Sequence, residues 1–180
     1  MILERDIVGK YVSLVSVLPD DAKVTLEMRL NKEKTKFLHY VDNDLKKQKD
    51  WISLQNKREG DFFFLIYNQR KTMSFGTCGI YDIKESVGHI GRLLSYGSAL
   101  ETFEAYYLLI NFCFEELHLS RIWGDTDINN KSAYNFTKLF GFSYDLPLKD
   151  EELERMVCIC NLNKTMFENS GVRKLIYRDR

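Results

Sequence analysis

Residues 88–142, GHIGRLLSYGSALETFEAYYLLINFCFEELHLSRIWGDTDINNKSAYNFTKLFGF, decide the fold. They read as a short strand (88–95), a turn (96–102), a long apolar helix (103–117), a second strand (120–127) and a further helix that Asn130 opens and Gly141-Phe142 ends. That order sets a helix N-terminus at the edge of a sheet, where the first backbone N–H groups have no partner in their own helix and can take up an anion. The ligand it implies is a pyrophosphate.

Upstream, DFFFLIYN (61–68) and MSFGTCGIYDI (73–83) are strands joined by the polar turn Gln69-Arg70-Lys71, an antiparallel hairpin, and GHIGRLLS is the third strand, reached through Lys84-Glu85-Ser86. Asp42, Asn43 and Asp44 cap a helix over 45–57, with Leu45, Trp51, Ile52 and Leu54 expected inward and Lys46, Lys47, Lys49 and Lys57 outward. An earlier helix over 22–30 has no clean apolar stripe; it rests on the break and cap at Pro19-Asp20-Asp21 and on its helix-forming residues. Residues 10–18 alternate as a strand, 35–41 form an aromatic loop, 155–162 form a late strand and 164–170 a short helical turn. This succession predicts an α+β, layered fold, a central mixed and mostly antiparallel sheet with helices on both faces, in one domain over residues 1–180.

Composition narrows the function. Lys plus Arg and Asp plus Glu number 26 each, so the net field gives no reason to expect nucleic acid or an anionic membrane as the main partner. Cys78, Cys113, Cys158 and Cys160 lie in apolar runs without metal or redox spacing, which reads as reduced core thiols and no metal site. Met1-Ile2-Leu3 is followed at once by charged residues, and no apolar run nears the roughly 20 residues of a membrane span, so a cytoplasmic protein is expected. The run 149–154 reads as a solvated turn, and edge strands near the C-terminus are compatible with a homodimer.

Several features together resemble the GNAT superfamily of acyl-CoA-dependent N-acyltransferases, in particular its branch of ribosomal-protein and amino-sugar acetyltransferases. They are Ile90-Gly91-Arg92-Leu93-Leu94 on the central strand, Glu104-Ala105 and 112–117 on the long helix, and Asn130 eleven residues before Gly141-Phe142. The resemblance implies acetyl-CoA as co-substrate. It puts the pantetheine arm in a gap between the strands 88–95 and 120–127, with backbone groups of Leu93, Leu94 and Ser95 along it. It also puts the pyrophosphate near Gly97, on N–H groups of Ser98, Ala99, Leu100, Glu101 and Thr102, with Asn130 both capping the last helix and touching the carrier. The family's glycine-rich phosphate loop would have glycines at Ser98 and Leu100, which this chain lacks.

Acetylation needs a neutral amine, a polarised thioester and a proton for the departing thiolate. An ammonium with pKa near 10.4 costs roughly 4 kcal/mol to deprotonate at neutral pH, so a base or desolvation must help. His89, where the resemblance places a Glu in many members, is the candidate base, or else a hydrogen-bonded filler of the sheet face. Alternation would set His89, Gly91 and Leu93 on one face and Ile90, Arg92 and Leu94 on the other. The family's general-acid tyrosine corresponds to Thr137, which leaves Tyr134 or solvent for that role. Arg29, His39, Tyr40 and Arg92 are candidate acceptor contacts; for Arg92 the alternative is a structural ion pair, and for Arg29 an exposed salt bridge. The resemblance favours the amine of a nucleotide-linked amino sugar of surface-polysaccharide biosynthesis as acceptor. The alternatives are a protein N-terminal or ribosomal-protein acetyltransferase and a GNAT-shaped binding module without catalysis.

Overall fold

The computed structural model describes residues 1–151 and 154–177. Its strands are β1 (Ile7–Val8), β2 (Val12–Ser16), β3 (Phe62–Asn68), β4 (Ser74–Lys84), β5 (Val87–Ser95), β6 (Arg121–Asp127), β7 (Ser143–Tyr144), β8 (Leu148–Asp150) and β9 (Arg155–Asn163). The helices are α1 (Ala22–Arg29), α2 (Lys32–Thr35), α3 (Leu45–Gln55), α4 (Ala99–Asn111), α5 (Lys131–Leu139), α6 (Lys164–Asn169) and α7 (Val172–Ile176). Among the described residues one sheet forms, in the order β1-β2-β3-β4-β5-β6-β9-β7 with β8 also on β9. Every pairing is antiparallel except β5 with β6. This is the mixed, mostly antiparallel α+β layering the sequence predicts.

Two cores cover the two faces of the sheet. On one, α4 buries Ala105, Leu109 and Ile110 against Leu14, Phe64, Ile66, Ile80 and Ile122, with Phe140, Phe167 and Ile176 closing the rim. On the other, α1 and α3 bury Ala22, Met28 and Ile52 against Phe63, Leu65 and Leu94. The α3 face differs from expectation. Leu45 and Leu54 are exposed, and the inner stripe runs through Gln48, Trp51, Ile52 and Gln55, the i, i+3, i+4, i+7 spacing that a helix requires. Its two glutamines are accepted there because Gln48 Nε2 donates to Thr25 Oγ1 at 3.1 Å and Gln55 Nε2 to Asp61 Oδ1 at 3.0 Å.

Some boundaries move. The long helix starts four residues earlier than its apolar run, at Ala99, because Ser98 caps it; residues 112–116 then continue it as a single π turn. Asn31 caps an extra turn, α2, over residues that the sequence reading left without an element and the first residue of the aromatic loop, Thr35. Of the run 149–154, residues 149–150 belong to β8 and the turn begins at Glu151; Glu152 and Leu153 lie outside the described residues.

The register of β4 on β5 passes from Thr77↔Leu94 to Gly79↔Gly91, so Cys78 opposes both Arg92 and Leu93. This β-bulge puts Arg92 at φ 55°, in the left-handed region, and it corrects the expected alternation. Ile90 packs with the α4 core, whereas Arg92 and Leu94 face α3, together with His89 and Tyr81. One residue more in the strand has exchanged the faces beyond it.

Glu104, fully buried on α4, ties the helix to the sheet: its carboxylate accepts N–H bonds from Lys10 (2.8 Å), Tyr11 (2.5 Å) and Val12 (2.8 Å). Glu104→Ala would orphan three N–H groups at about 1–3 kcal/mol each, so urea denaturation should show a loss of roughly 3 kcal/mol or more, with Glu104→Gln losing less.

Candidate active site

The parallel ladder between β5 and β6 ends early, at Val87↔Arg121, Gly88↔Ile122 and His89↔Trp123. Beyond that rung the bulge carries β5 away, and the strands part. Gly124 stands at the fork: a Cβ there would lie 3.1 Å from the Ile90 carbonyl oxygen, so a side chain would press into the opening. A cavity of about 500 Å³ fills the fork, with residues 90–95 of β5 on one wall, 124–127 of β6 on the other, and α4 and α5 behind.

At one end lies the start of α4. Ser95, Gly97, Ala99 and Thr102 line the cavity there, with Asn130, whose side chain caps α5 by accepting from the Ala133 N–H at 3.1 Å. A capping box occupies part of the predicted anion site. Ser98 N–H donates to Glu101 Oε2 at 2.8 Å, the Glu101 N–H is turned onto Ser98 Oγ, and the Thr102 N–H bonds the Ser98 carbonyl. Of the five predicted donors, Ala99 and Leu100 keep free N–H groups among the described residues. Leu100 and Glu101 are not in the cavity wall. Gly97 has its own reason to be glycine, since a Cβ would meet the Phe75 ring at 2.4 Å.

At the other end stands His89. Its ring stacks on Trp123 with centroids 3.9 Å apart, and Nε2 lies 3.1 Å from Asp125 Oδ1 and 3.3 Å from the Tyr81 hydroxyl. Asp125 is held below its ordinary carboxylate range, first by the bond from His89, then by the charges of His89 and Arg155 against the opposing effect of burial. A carboxylate only accepts, so in this bond His89 Nε2 carries a proton and donates it to Asp125. Burial pushes the Tyr81 phenol up to about 12, so it remains a neutral hydroxyl. Cys160 also lines the cavity, but burial pushes its thiol up to about 12, which leaves it protonated and a poor nucleophile.

A second cavity of about 350 Å³ lies between α1, α3 and residues 40–42, over the α3 face of the sheet. Arg29 and Arg92 line both cavities. Two nitrogens of Arg92 are committed to buried Asp61, Nη1 to Oδ1 at 2.5 Å and Nη2 to Oδ2 at 3.1 Å, and its plane sits 4.1 Å from the Tyr81 ring. This is the structural pair that the sequence left open as an alternative. Arg29 instead donates to the His39 carbonyl at 2.5 Å, which corrects the exposed salt bridge offered for it. His39 lines the first cavity and Tyr40 the second, where Tyr40 is 86% exposed.

Tyr134 is the candidate that the fold does not bring in. It packs on Tyr144 with centroids 4.4 Å apart and is absent from the cavity wall, because α5 turns Ala133, Phe136 and Thr137 inward instead. Thr137 points its hydroxyl at the carbonyls of Ala133 and Tyr134, and Tyr144 hydrogen-bonds it. The sequence reading missed Asp125, Trp123, Tyr81 and Arg155. The signal for two of them was the parallel pairing itself: with His89 opposite Trp123, period two puts Asp125 on the same face. Arg155, from the far strand β9, binds the Phe37 carbonyl at 2.6 Å and approaches Asp125 to 3.6 Å, a contact no local pattern reveals.

A family model described as an acetyltransferase (GNAT) domain matches residues 12–143. Among solved structures, a nucleotide-linked sugar GNAT, FdhC in its apo form, superposes with a TM-score of 0.81 at 16% identity over 97% of this chain and 99% of its own. A spermidine N-acetyltransferase variant, SpeG from Vibrio cholerae, gives 0.76 at 12% identity over 91% and 99%. A putative ribosomal-protein-serine acetyltransferase from Vibrio cholerae gives 0.74 at 17% identity over 91% and 99%. No curated protein matches by sequence. Split strands, the helix start beside them and the match over most of the chain define an acyltransferase of the GNAT class. The chain belongs to the GNAT acetyltransferase family and is an N-acetyltransferase.

Glu101 sets a carboxylate at the start of α4, beside the end of the cavity that Gly97, Ala99 and Thr102 line. Glu101→Gln removes that charge and loosens its hold on the Ser98 N–H. Calorimetric titration should show acetyl-CoA binding several-fold tighter to the variant, with α4 less stable by about 0.5–1 kcal/mol.

Proposed function

We propose that the chain, folded as one domain, transfers acetyl from acetyl-CoA directly to the primary amine of a nucleotide-linked amino sugar. The observation that carries the reading is the His89–Asp125 pair, standing where β5 and β6 part and therefore at the inner end of the fork. The carrier fits the opposite end. There Ala99 and Leu100 have free N–H groups at a helix start, and the edge of β5 beyond His89 has lost its strand partner. Acetyl-CoA, when bound, supplies an activated acyl group on a thiol leaving group.

His89 takes a proton from the acceptor ammonium through Nδ1, while Asp125 steadies the imidazolium that results. Asp125 and Asp127, both in the cavity wall, supply negative charge where a cationic amine arrives. Direct transfer rather than an acyl-cysteine is supported by the raised pKa of Cys160. Because Tyr134 packs away from the cavity and the Thr137 hydroxyl is turned onto helix carbonyls, water protonates the departing thiolate. The arginines beside the second cavity, and the likeness to a nucleotide-linked sugar GNAT, support an acceptor with phosphates. Buried, free thiols support residence in the reducing cytoplasm.

Thiol release from acetyl-CoA, measured against nucleotide-linked amino sugars, polyamines and basic peptides, tests the reading. The amino sugars should be turned over fastest, and His89→Ala should lower kcat by about 10²–10⁴-fold. A variant as fast as the parent at saturating acceptor removes His89 from the mechanism.

A further inference from the structure

Three of the cations that line the two cavities have carboxylate partners, and exposed Lys34 lies over the Tyr96 ring. Arg92 is answered by Asp61, Lys47 by Asp42 at 2.6 Å, and Arg155 by Asp125 at 3.6 Å and Asp127 at 3.9 Å. Arg29 has no carboxylate within ion-pair distance among the described residues. Its Nη2 has only the His39 carbonyl, and its Nε is buried with no hydrogen-bond partner among the described residues. Burial, and then the charge of Arg92 nearby, both disfavour its protonated state. A guanidinium in such surroundings is costly unless an anion joins it, and the carbonyl ends of α1, whose last turn it occupies, offset only part of that cost.

Arg29 also stands in the wall common to both cavities, one of which holds the His89–Asp125 pair. The acidic groups Asp125 and Asp127 lie by His89, and Arg29, half-buried and without a carboxylate partner among the described residues, lies toward α1. A ligand matching that division has an amine at one end and an anion at the other. We propose that Arg29 recognises an oxyanion, a phosphate or a carboxylate, that the acceptor carries in the second cavity, so that the acceptor is a bipolar amine. The inference rests on the amine-acetylating reading above and adds the side chain that recognises the acceptor's anion. A polyamine, with cations at both ends, would meet Arg29 as a like charge.

The test separates the two readings. Protein saturated with acetyl-CoA is titrated calorimetrically with inorganic phosphate and, in a second arm, with acetate, at ionic strength fixed by potassium chloride. The arms report which oxyanion is preferred. The parent should bind one of them saturably, and Arg29→Gln should weaken that binding roughly ten- to a hundredfold, the usual worth of a charged hydrogen bond. Arg29→Lys, which keeps the charge and loses the fork, should fall between them and serves as the comparison if the glutamine variant does not fold.

In thiol-release assays, Arg29→Gln should raise KM for a phosphorylated amino sugar by a much larger factor than KM for the same amino sugar without its phosphate. Equal oxyanion binding by parent and variants would overturn the proposal. So would phosphate binding that acetyl-CoA abolishes, since Arg29 would then serve the carrier's own phosphates. Absence of thiol release with every amine, while Arg29-dependent phosphate binding persists, would sink the acetylation reading and leave the oxyanion site standing.

Discussion

The site depends on one backbone irregularity, the extra residue at Arg92. A non-glycine residue in the left-handed region costs on the order of 1–2 kcal/mol, so the strand must be compelled to keep it. The compulsion is visible. The Arg92 guanidinium forks onto Asp61, whose own side chain is only 5% exposed, and lies among the rings of Tyr81, Trp51 and Phe63. Its carbonyl accepts the Thr77 hydroxyl at 2.9 Å. Removing either partner of such a buried pair leaves the other charge stranded, which makes the Arg92–Asp61 contact a lock on the bulge rather than a surface decoration.

From the bulge the rest follows in order. The strand bends, its parallel partner can follow it only as far as His89, and the unpaired edge beyond becomes a wall of the cavity. Because the ladder stops at His89↔Trp123, the last paired rung carries the imidazole and the first unpaired residues of β6 carry Gly124 and Asp125. The gap and the placing of His89 beside Asp125 thus both follow from one register change. Asp125 and Asp127 then lie beside His89 and Arg155, and Arg29 lies toward α1.

Much of this was legible in the sequence, and the failures have physical causes. The strand–turn–helix–strand–helix order of residues 88–142 survives in full because each element has its own cap or turn: Ser98, Asn130 and Gly141 mark ends that depend on neighbours in the chain. His89 was legible as a polar residue on a central strand. The bulge was not, since its signal is an arginine whose partner Asp61 lies 31 residues away, and period-two reasoning carried straight through it. Tyr134 failed for a related reason: helical spacing puts it near Thr137 along α5 but does not say which side the sheet will cover. Arg155 and Asp125 meet through β9, and only the folded order of strands brings them together.

The most direct test of a fork held open by the Arg92 bulge is amide hydrogen exchange with and without acetyl-CoA. Added acetyl-CoA should slow exchange at residues 93–95, in one wall of the fork, and at Ala99 and Leu100, at the start of α4, and should do so far less in an Arg92→Ala protein. Protection that appears elsewhere while these amides exchange as before, or binding undiminished by loss of Arg92, would contradict the account.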